Sequence, residues 1–211
     1  KANTGDMKSQ YDLGLAYYNG NKITADLKHY FIWMSKSAEQ GYAPAQIRIG
    51  FSYEYGDGVP KNQTVAFQWY SKAANSGHAR AQAFLCDFYT RGDGTSIDYA
   101  LALNWCQKSV AKNDSWGQMY LGFLYDTGHG VTQNYKKAVE LYKLAADSDI
   151  RMAQRFLGTM YKYGKGVEKS PERAFSLYKK AADADDARSA YYVGLAYDNG
   201  DGVVQDYNKA A

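Results

Sequence analysis

The sequence predicts an all-α fold, a solenoid of about six antiparallel helix pairs with one pair every 36 residues. Three observations predict it. Gly20, Gly56, Gly92, Gly128, Gly164 and Gly200 stand 36 residues apart, and self-similarity at a fixed step of this size is the signature of stacked repeats. Tyr17, Tyr53, Tyr89, Tyr125, Tyr161 and Tyr197 keep the same step. So do Asp26, Asn62, Asp98, Asn134, Ser170 and Asp206, all of residue types that accept hydrogen bonds from the first turn of a helix.

Each element follows from these markers, and the fifth repeat shows them in order. Ala153, Leu157, Gly158 and Tyr161 are spaced so that they gather on one face of a first helix, with Gly158 small enough for a partner element to approach. That helix stops at Gly164-Lys165-Gly166, where glycine accepts the left-handed backbone of a helix end. Ser170 caps the second helix, and Pro171 suits its first position because no intrahelical acceptor awaits an N–H there. Ala174, Leu177, Tyr178 and Ala181 form its buried face, as do Ala66, Trp69, Tyr70 and Ala73 in the second repeat. Second helices then end at Gly41, Gly77, Asn113, Asp149 or Asp185, which tolerate the left-handed cap.

A helix pair cannot bury its apolar face alone, so the units near 6–41, 42–77, 78–113, 114–149, 150–185 and 186–211 are expected to stack into one continuous domain over residues 1–211. Lys1, Ala2 and Gly5 align with Ser37, Ala38 and Gly41, and Ala211 falls early in a second helix. Further repeats of the same protein are therefore expected outside the segment. The composition is 45% hydrophobic and 22% charged with no run long enough to span a membrane, and the net charge of +3 is too small for the field of a typical nucleic-acid binder.

The pattern Leu-Gly, Tyr, Gly-Asp-Gly-Val, Asp or Asn, Trp-Tyr and Lys-Ala-Ala resembles the Sel1-like repeat, a relative of the tetratricopeptide repeat. The copies from Ile49 to Ala74, with Gly56-Asp57-Gly58-Val59 and Trp69-Tyr70-Ser71-Lys72-Ala73-Ala74, and from Leu157 to Ala182 carry it most fully. Lys22 departs from it at the second turn glycine, Tyr30 at a second-helix alanine, and the third copy at Cys86 and Cys106. The resemblance implies a right-handed superhelix whose first helices line a concave side, and a scaffold or adaptor that binds a protein or peptide partner without a cofactor. It also implies bacterial envelope, secretion or host-interaction settings, which favour a secreted or periplasmic location, or eukaryotic quality-control complexes.

Rotation by about 100° per residue places Met152, Phe156, Thr159 and Tyr163 opposite the inward face of the fifth first helix. The same phases give Arg48, Phe51 and Tyr55 in the second repeat, Arg80, Phe84, Asp87 and Arg91 in the third, Trp116, Tyr120 and Phe123 in the fourth, and Arg188 and Tyr192 in the last. A solvated face should be dominated by Lys, Glu and Gln, whereas aromatics and arginine carry binding hot spots. With Arg155 and Thr159 added, these residues are the expected partner-binding set, the arginines meeting an acidic or carboxylate-bearing partner. The competing reading of Phe84, Tyr120, Phe156 and Tyr192, which share one phase, is packing between repeats.

Cys86 replaces a recurring glycine and Cys106 a recurring tyrosine in one unit. This invites a disulfide if their Cα atoms lie within about 7 Å, the alternative being two small buried thiols. The cysteines have no metal-ligand spacing with His29, His78 or His129, and no metal site is expected from them or from Asp183, Asp185 and Asp186. The Gly-Asp-Gly turns follow helices, not strands, and read as helix stops instead of phosphate loops. Two other functions are carried as alternatives to a scaffold. One is a hydrolase-type enzyme using Glu54, Asp87 and Asp126, although no nucleophile and base converge. The other is a single-stranded nucleic-acid binder stacking bases on the aromatics.

Overall fold

The computed structural model describes residue 2, residues 5–20 and residues 23–210. Lys1, on which the opening alignment rests, Lys22, which departs from the turn pattern, and Ala211 lie outside the described residues. Among those described, the chain forms twelve helices and no strand. Each first helix is followed by its second: α1 (Met7–Asn19) and α2 (Leu27–Glu39), α3 (Ala43–Tyr55) and α4 (Gln63–Asn75), and α5 (Ala79–Arg91) and α6 (Tyr99–Val110). There follow α7 (Ser115–Thr127) and α8 (Tyr135–Asp147), α9 (Arg151–Tyr163) and α10 (Pro171–Ala182), and α11 (Ala187–Asn199) and α12 (Tyr207–Ala210). They fall into two compact units, residues 1–112 with the first three pairs and residues 113–211 with the last three.

One hydrogen bond closes every helix–turn–helix. The N–H of the capping residue donates to the carbonyl of the recurring tyrosine, as in Asn62 to Tyr53 at 2.7 Å, Asn134 to Tyr125 at 2.8 Å and Ser170 to Tyr161 at 3.0 Å. The side chains of the same residues then accept from the first turn of the second helix, Asn62 from Val65 N–H and Asp98 from Leu101 N–H. Local sequence thus fixes both the turn and the start of the next helix. The second helices end as expected, with left-handed backbone at Gly41, Gly77, Asn113, Asp149 and Asp185.

Within a pair, a glycine lies against a tyrosine. A Cβ on Gly158 would come within 2.8 Å of the Tyr178 ring, and one on Gly122 within 2.9 Å of Tyr142, so no larger residue fits without a shift. The first pair inverts the arrangement. Met34 covers Gly14, while Tyr30 occupies the place of the alanine and is buried with its hydroxyl 3.5 Å from Ser52 Oγ.

Between pairs, three recurring devices act. The second turn glycine rests on the start of the preceding second helix: a Cβ at Gly94 would overlap the Gln63 carbonyl, and one at Gly166 the Tyr135 backbone. Phe31, Phe67 and Phe175 meet Tyr53, Tyr89 and Tyr197 of the next pair edge-on, with centroids 5.3 to 5.7 Å apart. Gln10, Gln46, Gln82 and Gln154 recur at the same step and donate to the carbonyls of Ala2, Ala38, Ala74 and Ala146. Carbonyls near the C-terminal ends of helices lack intrahelical donors, so each buried amide of this kind in α3, α5 and α9 ties its helix to the end of the one before.

Candidate functional site

In the unit of residues 1–112, Phe51 on α3 reaches Phe84 on α5, with centroids 5.0 Å apart, and both rings meet Tyr70 on α4. Arg48 and Arg80 are half-buried at the same surface. Tyr55, in the last turn of α3, is 64% exposed.

Beside it Arg91 gathers three carboxylates: Asp87 at 2.7 Å, Asp93 at 2.5 Å and Glu54 at 3.4 Å. The other oxygen of Glu54 accepts from the buried Tyr70 hydroxyl at 2.7 Å. Asp87 stands where the other repeats have Leu15, Phe51, Phe123, Thr159 and Leu195. Burial pushes its carboxyl up to about 6, although the Arg91 charge pulls in the opposite direction.

In the unit of residues 113–211, Trp116 and Tyr120 on α7 are half-buried and pack against the core of Tyr142, Leu157 and Tyr178. Phe123 lies 5.9 Å from Phe156, and the Thr159 hydroxyl turns inward to the Tyr178 hydroxyl at 3.0 Å. Tyr192 stacks on Tyr178 at 4.8 Å, and burial raises Tyr178 to about 12. Tyr163, in the last turn of α9, is 62% exposed, and Arg188 is exposed at the start of α11. Arg155 is buried, its guanidinium 4.8 Å over the Phe156 ring.

The phase shared by Phe84, Phe156 and Tyr192 meets the second-helix tyrosine of the preceding pair in each case: Tyr70 at 4.9 Å, Tyr142 at 5.3 Å and Tyr178 at 4.8 Å. These rings pack between repeats, because a stacked array must cover the outer side of each second-helix tyrosine. Large exposed aromatics occur in the last turns of first helices, at Tyr55 and Tyr163, and also at Tyr191 on α11 and Tyr207 on α12.

The carboxylates considered for hydrolysis are engaged in contacts within the fold. Glu54 and Asp126 accept from Tyr70 and Tyr142, the latter at 3.4 Å, and Asp87 pairs with Arg91. Cys86 on α5 and Cys106 on α6 are joined by a disulfide, with Cα atoms 5.2 Å apart. Among the described residues no group of three His, Cys, Asp or Glu side chains is placed to hold a metal, and no helix is long and apolar enough to cross a membrane.

Sequence comparison finds the Sel1 repeat in six copies, at residues 8–42, 43–78, 79–114, 117–149, 151–186 and 187–211. A protective antigen of uropathogenic Escherichia coli with an SLR fold is 36% identical, with a TM-score of 0.74 over 100% of this chain and 45% of that one. The chain thus spans less than half the length of that relative. A Sel1 repeat protein from Oxalobacter formigenes is 30% identical, with a TM-score of 0.84 over 98% of this chain and 82% of that one. A Klebsiella pneumoniae structure that is 22% identical, with a TM-score of 0.64 over 84% of this chain and 86% of that one, shares the fold. No curated protein matches the chain significantly. A six-copy match over nearly every residue and a helix-pair architecture shared with solved Sel1 repeat proteins place the chain in the Sel1 repeat family.

Proposed function

We propose that the chain is a non-catalytic scaffold that takes a protein or peptide partner on the surface of its first helices. The observation that carries this reading is the pair Tyr55 and Tyr163, equivalent positions in the second and fifth repeats, exposed by 64% and 62%. Tyrosine offers wide contact with little rotamer entropy to lose, and charged neighbours such as Arg91 near Tyr55 and Lys162 beside Tyr163 orient a partner. The setting we propose is an oxidising one outside the cytoplasm. The Cys86–Cys106 disulfide supports it, as does the protective-antigen description of the Escherichia coli relative.

The test is capture from lysate of the source cells on the immobilised chain, beside Tyr55→Ala/Tyr163→Ala. A protein held by the wild type and lost from the variant at an unchanged thermal midpoint supports the proposal. Equal capture by both moves the partner to another face, and capture of nucleic acid that collapses with added salt returns the stacking alternative.

A further inference from the structure

At the N-terminal end of α9 lies an open pocket of about 430 Å³, walled by Trp116, Met152, Arg155 and Arg188, with Asp149 and Asp186 among its rim residues. Its chemistry departs from the repeat pattern. At the position of Arg155 the other repeats carry Tyr11, Ile47, Ala83, Met119 and Tyr191, so a guanidinium has been placed where the array needs only an apolar side chain.

Arg155 is 8% exposed, and its Nε is buried without a hydrogen-bond partner among the described residues. Its one ion-pair contact among the described residues is Nε to Asp186 Oδ1 at 3.4 Å. The same Asp186 oxygen already accepts from the Ser189 N–H at 2.7 Å as the cap of α11. A buried guanidinium donor without an acceptor is destabilising unless something else accepts from the group, whose side chain lines the open pocket.

Two further features point into the same pocket. Helix α9 follows Ile150 with no side-chain cap, as α3 and α5 follow Tyr42 and His78, and Arg151 and Met152 of its first turn line the pocket at the positive end of the helix dipole. Arg188 also lines the pocket, is exposed, and has no ion-pair partner among the described residues. The third arginine, Arg151, donates to the Ala184 carbonyl at 2.6 Å and is occupied.

We propose that this pocket is an anchor site for a single carboxylate carried beside an apolar side chain. Arg155 and Arg188 receive the carboxylate, and Trp116 and Met152 receive the apolar group. A monoanion is favoured over a phosphate because Asp185 and Asp186, which also line the pocket, repel a second negative charge. Asp149 itself is held by Lys180 at 2.8 Å and does not compete for the arginines. The inference rests on the scaffold reading in taking the carboxylate from a protein, either its C-terminus or an Asp or Glu side chain.

The test is an NMR titration of the ¹⁵N-labelled chain, following the Arg155 Nε–H and Trp116 indole N–H signals. The probes are N-acetyl-leucine, N-acetyl-leucinamide, N-acetylglutamic acid α-amide and inorganic phosphate. N-acetyl-leucine or the glutamate derivative is expected to shift both signals, the tighter of the two identifying a C-terminal or side-chain source. The neutral leucinamide and phosphate should bind at least about tenfold more weakly.

Arg155→Met, which installs the residue found at Met119 in the fourth repeat, is expected to keep or raise the thermal midpoint and to abolish the Trp116 shift. Failure of both carboxylates to bind, tighter binding of phosphate, or an unchanged Trp116 shift in Arg155→Met would each overturn the proposal. Because the probes are small carboxylates, loss of the anchor site and loss of the scaffold reading show up in separate experiments.

Discussion

In the fifth repeat Gly158 lies under the ring of Tyr178, and in the third the same two places are taken by Cys86 and Cys106, joined covalently. Both solutions bring a first helix close to its second. In one, a large residue fills the space a missing side chain leaves, and in the other a bond spans it. The substitution travels further than the pair. Tyr70 and Tyr142 each give their hydroxyl to a carboxylate at one position of the first helix, Glu54 and Asp126. In the third repeat, which has no such hydroxyl, that position is Thr90, whose own hydroxyl turns back to the Cys86 carbonyl at 2.7 Å. In the fifth it is Lys162, and Thr159 serves the Tyr178 hydroxyl instead. The packing contact and its polar partner therefore change together.

The largest effect that would break this comparison is expected from Tyr178→Ala, which empties a buried aromatic site and should lower stability by about 3–5 kcal/mol in denaturant unfolding. If residues 1–211 unfold as one domain, a single transition shifts. Two transitions of which only one moves would divide the chain instead. Cys86→Ala/Cys106→Ala comes next. The bridge closes a loop with a sequence separation of 20, for which chain entropy gives about 3 kcal/mol. A loss below about 1 kcal/mol would mean that packing alone holds the third repeat.

A smaller effect sharpens the contrast at Asp87. Its carboxyl sits at about 6 in the folded chain against about 3.9 when unfolded, so between these values the folded state holds the extra proton. Its contribution to stability is full below about pH 4 and is lost as pH rises through about 6. Asp87→Asn is expected to flatten this slope in thermal midpoints measured from pH 4 to pH 7, and an unchanged slope would assign it to other groups.

Much of this architecture is legible in the sequence because each marker is a single-residue requirement repeated at a fixed step. The caps, the turn glycines and the closely approached Gly158 class each satisfy a local rule, and the structure places them accordingly. What a period does not convey is which neighbour covers a given face. Phe84 and Tyr192 are equivalent positions rich in aromatics, and only the stacked arrangement shows that they pack on Tyr70 and Tyr178. The glutamines at positions 10, 46, 82 and 154 have the same period as the glycines, yet their amides act across repeats, so no local helix rule singles them out. Arg155 is the opposite case. Its signal is a charged residue at one position of an otherwise apolar phase, and its burial, not its position in the stripe, makes it informative.

Residues that hold the repeats together are distinct from those proposed to meet a partner, and two variants measured side by side test that division. Cys86→Gly/Cys106→Tyr installs in the third repeat the pair found in the fifth, and is measured for midpoint and for partner capture beside Tyr55→Ala/Tyr163→Ala. The exchanged pair is expected to recover more than half of the stability lost in Cys86→Ala/Cys106→Ala and to capture the same partner as the wild type, while the tyrosine variant keeps its midpoint and captures none. An exchanged pair that abolishes capture while folded, or a tyrosine variant that loses stability together with capture, would contradict it.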